Sequence, residues 1–380
     1  MLRVEIKPKM LRWACERAGI DLAEAEDRFP QFAAWTAGAA RPTLRQLEEF
    51  ARATHAPLGY LFLPEPPIEQ LPIPDFRTIG AERRRHPSPD LLDTVYLCQQ
   101  RQEWFHDFAR TNGEQPLEFV GWAQLDSDVG AAAAAIRGRL GFDVEARAQI
   151  GTWTDALREF IEQADRIGVL VMVNGIVGSN TRRKLNAEEF RGFAIADELA
   201  PLVFINGADT KAAQMFTLAH ELAHIWLGKS AVSDVAPVSM TVNTVETWCN
   251  RVAAEMLVPL EGFRAEYRKG DDLRSELDRL ARRFKVSTLV ILRRMYDAGG
   301  LRRAELDAAY ATELKRLLAV SKQSGGNFYL TQAVRVGKRF ARALIASTLE
   351  GQTLHRDALR LLGFSKLSTF RELGQRLGIP

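Results

Sequence analysis

The sequence predicts a mostly helical α+β protein, divided into several domains and carrying one small β-sheet. Three observations support this. The chain has 380 residues, 46% of them hydrophobic, which exceeds what a single small core accommodates. Apolar residues recur three and four apart through most of its length, the period of helices with one buried face. Only two runs, GVLVMVNGIVG and FRGFAIADELAPLVFING, have the Val, Ile and Phe content between glycines that favours strands.

Residues 1–64 read as short helices. MLRWACERAGI and TLRQLEEFARATH repeat apolar positions at helical spacing, and Pro42 and Thr43 mark where the second begins. A proline-rich linker is expected over 65–88, because the prolines of LFLPEPPIEQLPIPDF remove amide donors and disfavour helix. A helical connector is expected over 89–165, from the amphipathic PDLLDTVYLCQQRQEWFHDFART and the alanine-rich VGAAAAAIRGRLG. The two strand-like runs and the helices after them form a domain over 166–300. Residues 301–380 form a basic helical domain, interrupted by the loop QSGGNFY at 323–329.

Composition narrows the setting. Cys15, Cys98 and Cys249 lie far apart with no CxxC pair, so neither a disulfide framework nor a thiolate zinc site is indicated. The amino-terminal segment is interrupted by charges and no apolar run approaches the length of a membrane span, so no membrane association and a cytoplasmic location are expected. The net charge of +3 is uneven. From Tyr310 to Pro380 there are 12 Lys or Arg against 4 Asp or Glu, a local +8. Acidic partners would be drawn to that end.

The chemistry concentrates in KAAQMFTLAHELAHIWLG. Phe216, Leu218, Leu222, Ile225 and Leu227 suit a largely buried helix, with Gly228 as its stop. His220 and His224 then lie one turn apart on one face, where two imidazoles can share a tetrahedral ion, and Glu221 stands beside the first. Zinc lowers the pKa of bound water to about 7, so a neighbouring carboxylate can take the proton and direct hydroxide at a carbonyl carbon. The competing reading is two core histidines satisfied by hydrogen bonds. A third ligand is expected on the helix of NTVETWCNRVAAEMLVP, capped by Thr244 and ended by Pro259. Glu246 lies in its first turn, on the face of Cys249, Asn250 and Ala253. Glu255, rotated away, is the rival.

FTLAHELAHIWLG followed by ETWCNRVAAEMLVP resembles the ImmA/IrrE family of metallopeptidases. The resemblance implies a zincin-like core, zinc held by His220, His224 and Glu246, and Glu221 as catalytic base. EEFRGFAIADELAPLVFIN is similar to the sheet preceding the zinc helix, and MLRWACERAG through YLFLPEPP to the helix-turn-helix (XRE-like) module that many members carry. GGNFYLTQ is similar to an extension of longer members. The implied activity is limited proteolysis of a helix-turn-helix repressor or antitoxin, in a stress-response, mobile-element or toxin-antitoxin setting. The alternative is a DNA-binding or toxin-antitoxin regulator whose metal site is structural or latent.

The amino-terminal residues fit DNA poorly. The expected reading helix, PQFAAWTAGA, offers only Gln31, and the preceding helix carries Asp21, Glu24, Glu26 and Asp27. Phe32, Ala33 and Trp35 are either core or a docking face for another helix-turn-helix protein. Arg335, Lys338, Arg339 and Arg342 repeat at near-helical spacing and are either a nucleic-acid surface or a solvated face. Tyr329, His86, His106 and His355 are candidate polarising groups for a transition state. A substrate strand is expected to pair with a sheet edge at Gly192–Asp197.

Overall fold

The computed structural model describes residues 2–76, 87–233, 243–320 and 333–379. The chain divides into two compact units, Met1–Pro72 with Ala81–Val95 and Ile73–Gly80 with Tyr96–Pro380. His86, Tyr329 and the loop at 323–329 lie outside the described residues.

In the first unit, helices α1 (Pro8–Ala18), α2 (Leu22–Arg28), α3 (Phe32–Thr36) and α4 (Leu44–Thr54) lead into a 3-10 turn, Leu58–Phe62. The expected start at Thr43 is there: its hydroxyl accepts from Gln46 N while the Gln46 side chain accepts from Thr43 N, a reciprocal cap. Leu11, Phe32, Trp35, Leu47, Phe50 and Leu61 form the core. Phe32 and Trp35 are therefore interior residues, which removes them from any docking face. Arg17 grips Glu69 through Nη2–Oε1 at 2.9 Å, tying the start of the proline-rich stretch to α1.

The second unit is built on a mixed sheet in the order β1-β5-β4-β6. Its strands are β1 (Leu170–Asn174), β4 (Gly192–Ile195), β5 (Leu202–Asn206) and β6 (Ala231–Ser233); β2 (Ile176–Val177) and β3 (Asn180–Lys184) form a separate hairpin. β1 runs parallel to β5, whereas β4 is antiparallel to both β5 and β6. β1, β4 and β5 are buried throughout, consistent with apolar residues on both faces of each strand. β4 is thus an interior strand, which corrects the expectation of a free edge at Gly192–Asp197. The outer side of β6 is also occupied: Val232 N donates to Pro74 O at 2.9 Å and Phe76 N to Val232 O at 3.0 Å.

α5 (Pro89–Thr111) runs across the boundary between the units, and α6 (Val129–Leu140), α7 (Val144–Ala148), α8 (Trp153–Arg166), α9 (Lys211–Trp226) and α10 (Thr244–Leu257) belong to the second, with α8 and α9 on the sheet. α11 (Leu260–Glu266), α12 (Leu273–Phe284), α13 (Thr288–Asp297) and α14 (Arg303–Val320) follow. The stretch expected as a connector is built into the core instead. α6 packs on α10 and α8 on α9, burying Ala132, Ile136, Leu157 and Phe160. Small alanines let α6 approach closely, which is why its sequence lacks a strong amphipathic pattern.

The last helices are α15 (Lys338–Leu349), α16 (His355–Leu362) and α17 (Leu367–Arg376). α15 lies on β1, where a Cβ on Gly337 would stand 2.9 Å from Val171 O. Lys338 pairs with Glu162 at 2.5 Å, Arg339 with Glu114 at 2.9 Å, and Arg342 Nε donates to Leu377 O at 3.4 Å. Burial lowers the pKa of Arg335. Most of the expected basic stripe therefore serves internal packing. Among the described residues, no helix is long and apolar enough to cross a membrane.

Candidate metal centre

α9 begins where the Thr210 hydroxyl accepts from Ala213 N, and from Gln214 to Trp226 every residue is buried. A helix enclosed on all sides explains a sequence that is apolar almost all round. Gly228, at φ 63°, terminates it. His220, Glu221 and His224 are each 0% exposed. α10 starts at Thr244, but its cap is Asn243, whose side chain accepts from Val245 N and Glu246 N. That cap turns Glu246 inward, 1% exposed, toward the histidines.

The three expected ligands meet. Glu246 Oε1 lies 3.0 Å from His224 Nε2, Glu246 Oε2 3.2 Å from His220 Nε2, and the two Nε2 atoms are 3.1 Å apart. Donors about 2.0–2.1 Å from a tetrahedral cation stand about 3.3 Å from one another, so the spacing suits zinc. The hydrogen bonding points the same way. His220 Nδ1 lies 3.1 Å from Asn250 Oδ1, and donating that bond leaves Nε2 as an acceptor facing a carboxylate. Two acceptors in contact repel, and a cation between them removes the conflict. Burial lowers the pKa of His224, which favours the neutral, ligating form of its ring.

Glu221 is adjacent but distinct. Both its carboxylate oxygens are buried without a hydrogen-bond partner. Burial first, and then the charge of Glu246, raise its pKa well above the usual carboxylate range. In Glu246, burial also acts to raise the pKa but is outweighed by the two imidazoles, and the net direction is down. One carboxyl holds its proton tightly and its neighbour gives it up readily.

Residues 164–296 match the family model of the IrrE N-terminal-like domain, Peptidase M78. That span takes in the sheet, α9 and α10, and with them all four residues of the site. Residues 336–376 match a model described only as a domain of unknown function. No curated protein matches the chain. The IrrE N-terminal-like match begins at the end of α8, so most of the helical layer that buries the outer sides of α9 and α10 lies outside it.

Four contributors escaped the sequence reading. Ser233, on β6, places Oγ 3.3 Å from Glu246 Oε1 and 3.4 Å from His224 Nε2. Gly192, on β4, leaves room for Glu221: a Cβ there would lie 3.1 Å from Glu221 Oε1 and 2.6 Å from Thr217 Cγ2. Phe76 sets its ring 6.4 Å from that of His224. Asn250 follows Glu246 by four residues, one turn along the same helix face, and that spacing is its signal in the sequence. Glu255 is accounted for structurally, accepting from Arg294 Nη2 at 2.8 Å and from Leu260 N at 3.2 Å. His106 Nδ1 lies 3.0 Å from Asp197, and His355 lies against the Phe370 ring.

Proposed function

We propose that the chain is a zinc-dependent endopeptidase that cuts a regulatory protein, a helix-turn-helix repressor or antitoxin being the substrate class. The observation that carries the peptidase reading is the buried triad of His220, His224 and Glu246 beside the fully buried carboxyl of Glu221. The substrate class rests on the family resemblance.

His220 Nε2, His224 Nε2 and one Glu246 oxygen would hold the metal, with Asn250 fixing the His220 ring through Nδ1. Zinc there supplies a Lewis acid that polarises a peptide carbonyl and acidifies water. Glu221 takes the proton of the attacking water on a carboxylate oxygen and passes it to the departing amine nitrogen. Burial raises the Glu221 pKa, which favours its protonated form and so the delivery of the proton to the departing amine. Gly192 keeps the space that the Glu221 carboxylate occupies.

Glu221→Gln tests this reading, because the amide keeps the shape but cannot accept the proton. Metal content and melting temperature should match the parent, while cleavage of candidate repressors should fall by about 10²-fold or more. Undiminished cleavage rejects Glu221 as the base.

A second reading, a regulator whose metal site is structural or latent, is favoured by one observation. All four site residues are at most 1% exposed and Pro74 and Phe76 occupy the outer side of the neighbouring β6. Under that reading the metal-loaded protein cleaves no candidate repressor, and metal removal changes stability alone.

A further inference from the structure

The carboxyl-terminal helices carry a set of cations that pair with no side chain among the described residues. α15 packs against both α16 and α17, with Phe340, Leu344, Leu361, Leu362, Phe370 and Leu373 buried among the three helices. α16 and α17 are joined by four residues, Gly363–Lys366, and Gly363 takes the left-handed conformation at φ 71°. Two short helices joined by a four-residue glycine turn, on a third supporting helix, make the connectivity of a helix-turn-helix.

The exposed side of α17 suits such a role. Lys366, Ser368, Arg371 and Gln375 are all exposed, the last three at helical spacing along one face. Arg, Lys, Gln and Ser are side-chain types that hydrogen-bond base edges and phosphates. Arg356 and Arg376 are paired, with Asp357 at 3.6 Å and Glu372 at 3.1 Å. Arg360, Lys366 and Arg371 have no side-chain partner among the described residues.

A second basic element adjoins the turn. A Cβ on Gly363 would stand 2.6 Å from Ser179 Oγ, so the tip of the β2–β3 hairpin rests on the turn between α16 and α17. From there β3 runs on with Arg182 and Lys184 exposed and without a side-chain partner among the described residues. The amino-terminal bundle lacks these features: α3 has only five residues, and α2 before it carries exposed Asp27, Glu24 and Glu26.

We propose that α16, α17 and β3 form a duplex-DNA-binding surface, with α17 entering the major groove and Arg182 and Lys184 on the flanking phosphates. B-form DNA is the fitting occupant because its major groove, about 12 Å wide, admits a helix. The deep, narrow major groove of A-form RNA does not. This inference is independent of the peptidase reading.

The test uses the full-length protein and fluorescence anisotropy with a labelled mixed-sequence DNA duplex. The parent should bind, and its affinity should fall by at least about tenfold between about 50 and 200 mM salt. Lys366→Glu with Arg371→Glu should weaken binding by more than about tenfold and reduce the salt slope by about 2. Arg182→Glu with Lys184→Glu should act in the same direction. The charge-matched control Arg12→Glu with Arg52→Glu, in the amino-terminal unit, should leave affinity within about twofold. Circular dichroism melting checks the fold, and Lys366→Gln with Arg371→Gln, a milder change, should still weaken binding. The proposal is overturned if the parent does not bind, if the Lys366 and Arg371 variants bind like the parent, if the control loses as much, or if duplex RNA of the same sequence binds as tightly.

Discussion

Asn250 Oδ1 lies 3.1 Å from His220 Nδ1, so the helix that supplies Glu246 also orients the first histidine from the far side of its ring. One element thereby places Glu246 and, where His220 Nδ1 donates to Asn250, sets the tautomer of His220. Asn250→Ala should lower zinc affinity by about 10–100-fold while leaving the melting temperature of the metal-free protein nearly unchanged. Competition with a chromophoric chelator measures the first and calorimetry the second. Parent-like affinity would show that the His220 ring needs no support from α10.

How much of this site was legible in the sequence follows from where its parts lie along the chain. His220, Glu221 and His224 share one helix, and the helical repeat alone brings the two imidazoles to one face. Glu246 was legible because it opens the next helix. Gly192 and Ser233 come from two strands, and their meeting depends on the register that pairs Gly192 with Ser233 across β4 and β6. No local pattern encodes that register. The alanines of α6 misled in another way: small side chains signal close helix packing only once the partner, α10, is known. Lys338 and Arg339 looked like a free basic stripe because their partners, Glu162 and Glu114, lie more than a hundred residues away.

Gly192→Ala tests the fit of Glu221 against the sheet. The added methyl would meet Thr217 Cγ2 at 2.6 Å and Phe204 O at 2.9 Å, and neither a buried methyl nor a strand carbonyl yields easily. Overpacking of this kind costs about 1–3 kcal/mol. Because Glu221 Oε1 is also only 3.1 Å from the methyl position, the carboxylate must move. The variant should keep its zinc, melt earlier and lose most of any cleavage. A variant as stable as the parent would mean that β4 and α9 separate more readily than their packing indicates.

Metal removal should destabilise the second unit. Without a cation, His220 Nε2 and Glu246 face each other as buried acceptors 3.2 Å apart. Zinc at about a thousandfold above its dissociation constant adds about 4 kcal/mol. The melting temperature should therefore fall on chelation and recover on adding zinc. His220→Ala, His224→Ala and Glu246→Ala should each abolish that recovery and reduce zinc content sharply. Full zinc content in all three variants would refute the ligand assignment.

The last prediction concerns pH and lies away from the metal. Burial raises the pKa of Asp165 to about 7, despite a hydrogen bond from the backbone at Val171 and the opposing charges of Lys338, Arg339 and Arg342. Its Oδ1 is buried without a hydrogen-bond partner. In the unfolded chain the same group titrates near about 3.9. Below about pH 3 both states are protonated and the carboxyl costs nothing. As the pH rises from there to about 7, the unfolded chain releases its proton first, so the folded state loses stability through that window. Above it the loss is complete, on the order of 2–4 kcal/mol. Asp165→Asn removes the titration while keeping the shape. Its melting temperature relative to the parent should be similar at pH 4.5 and clearly higher at pH 8. Equal differences at the two values would mean that the cations of α15 already hold Asp165 ionised in the folded state.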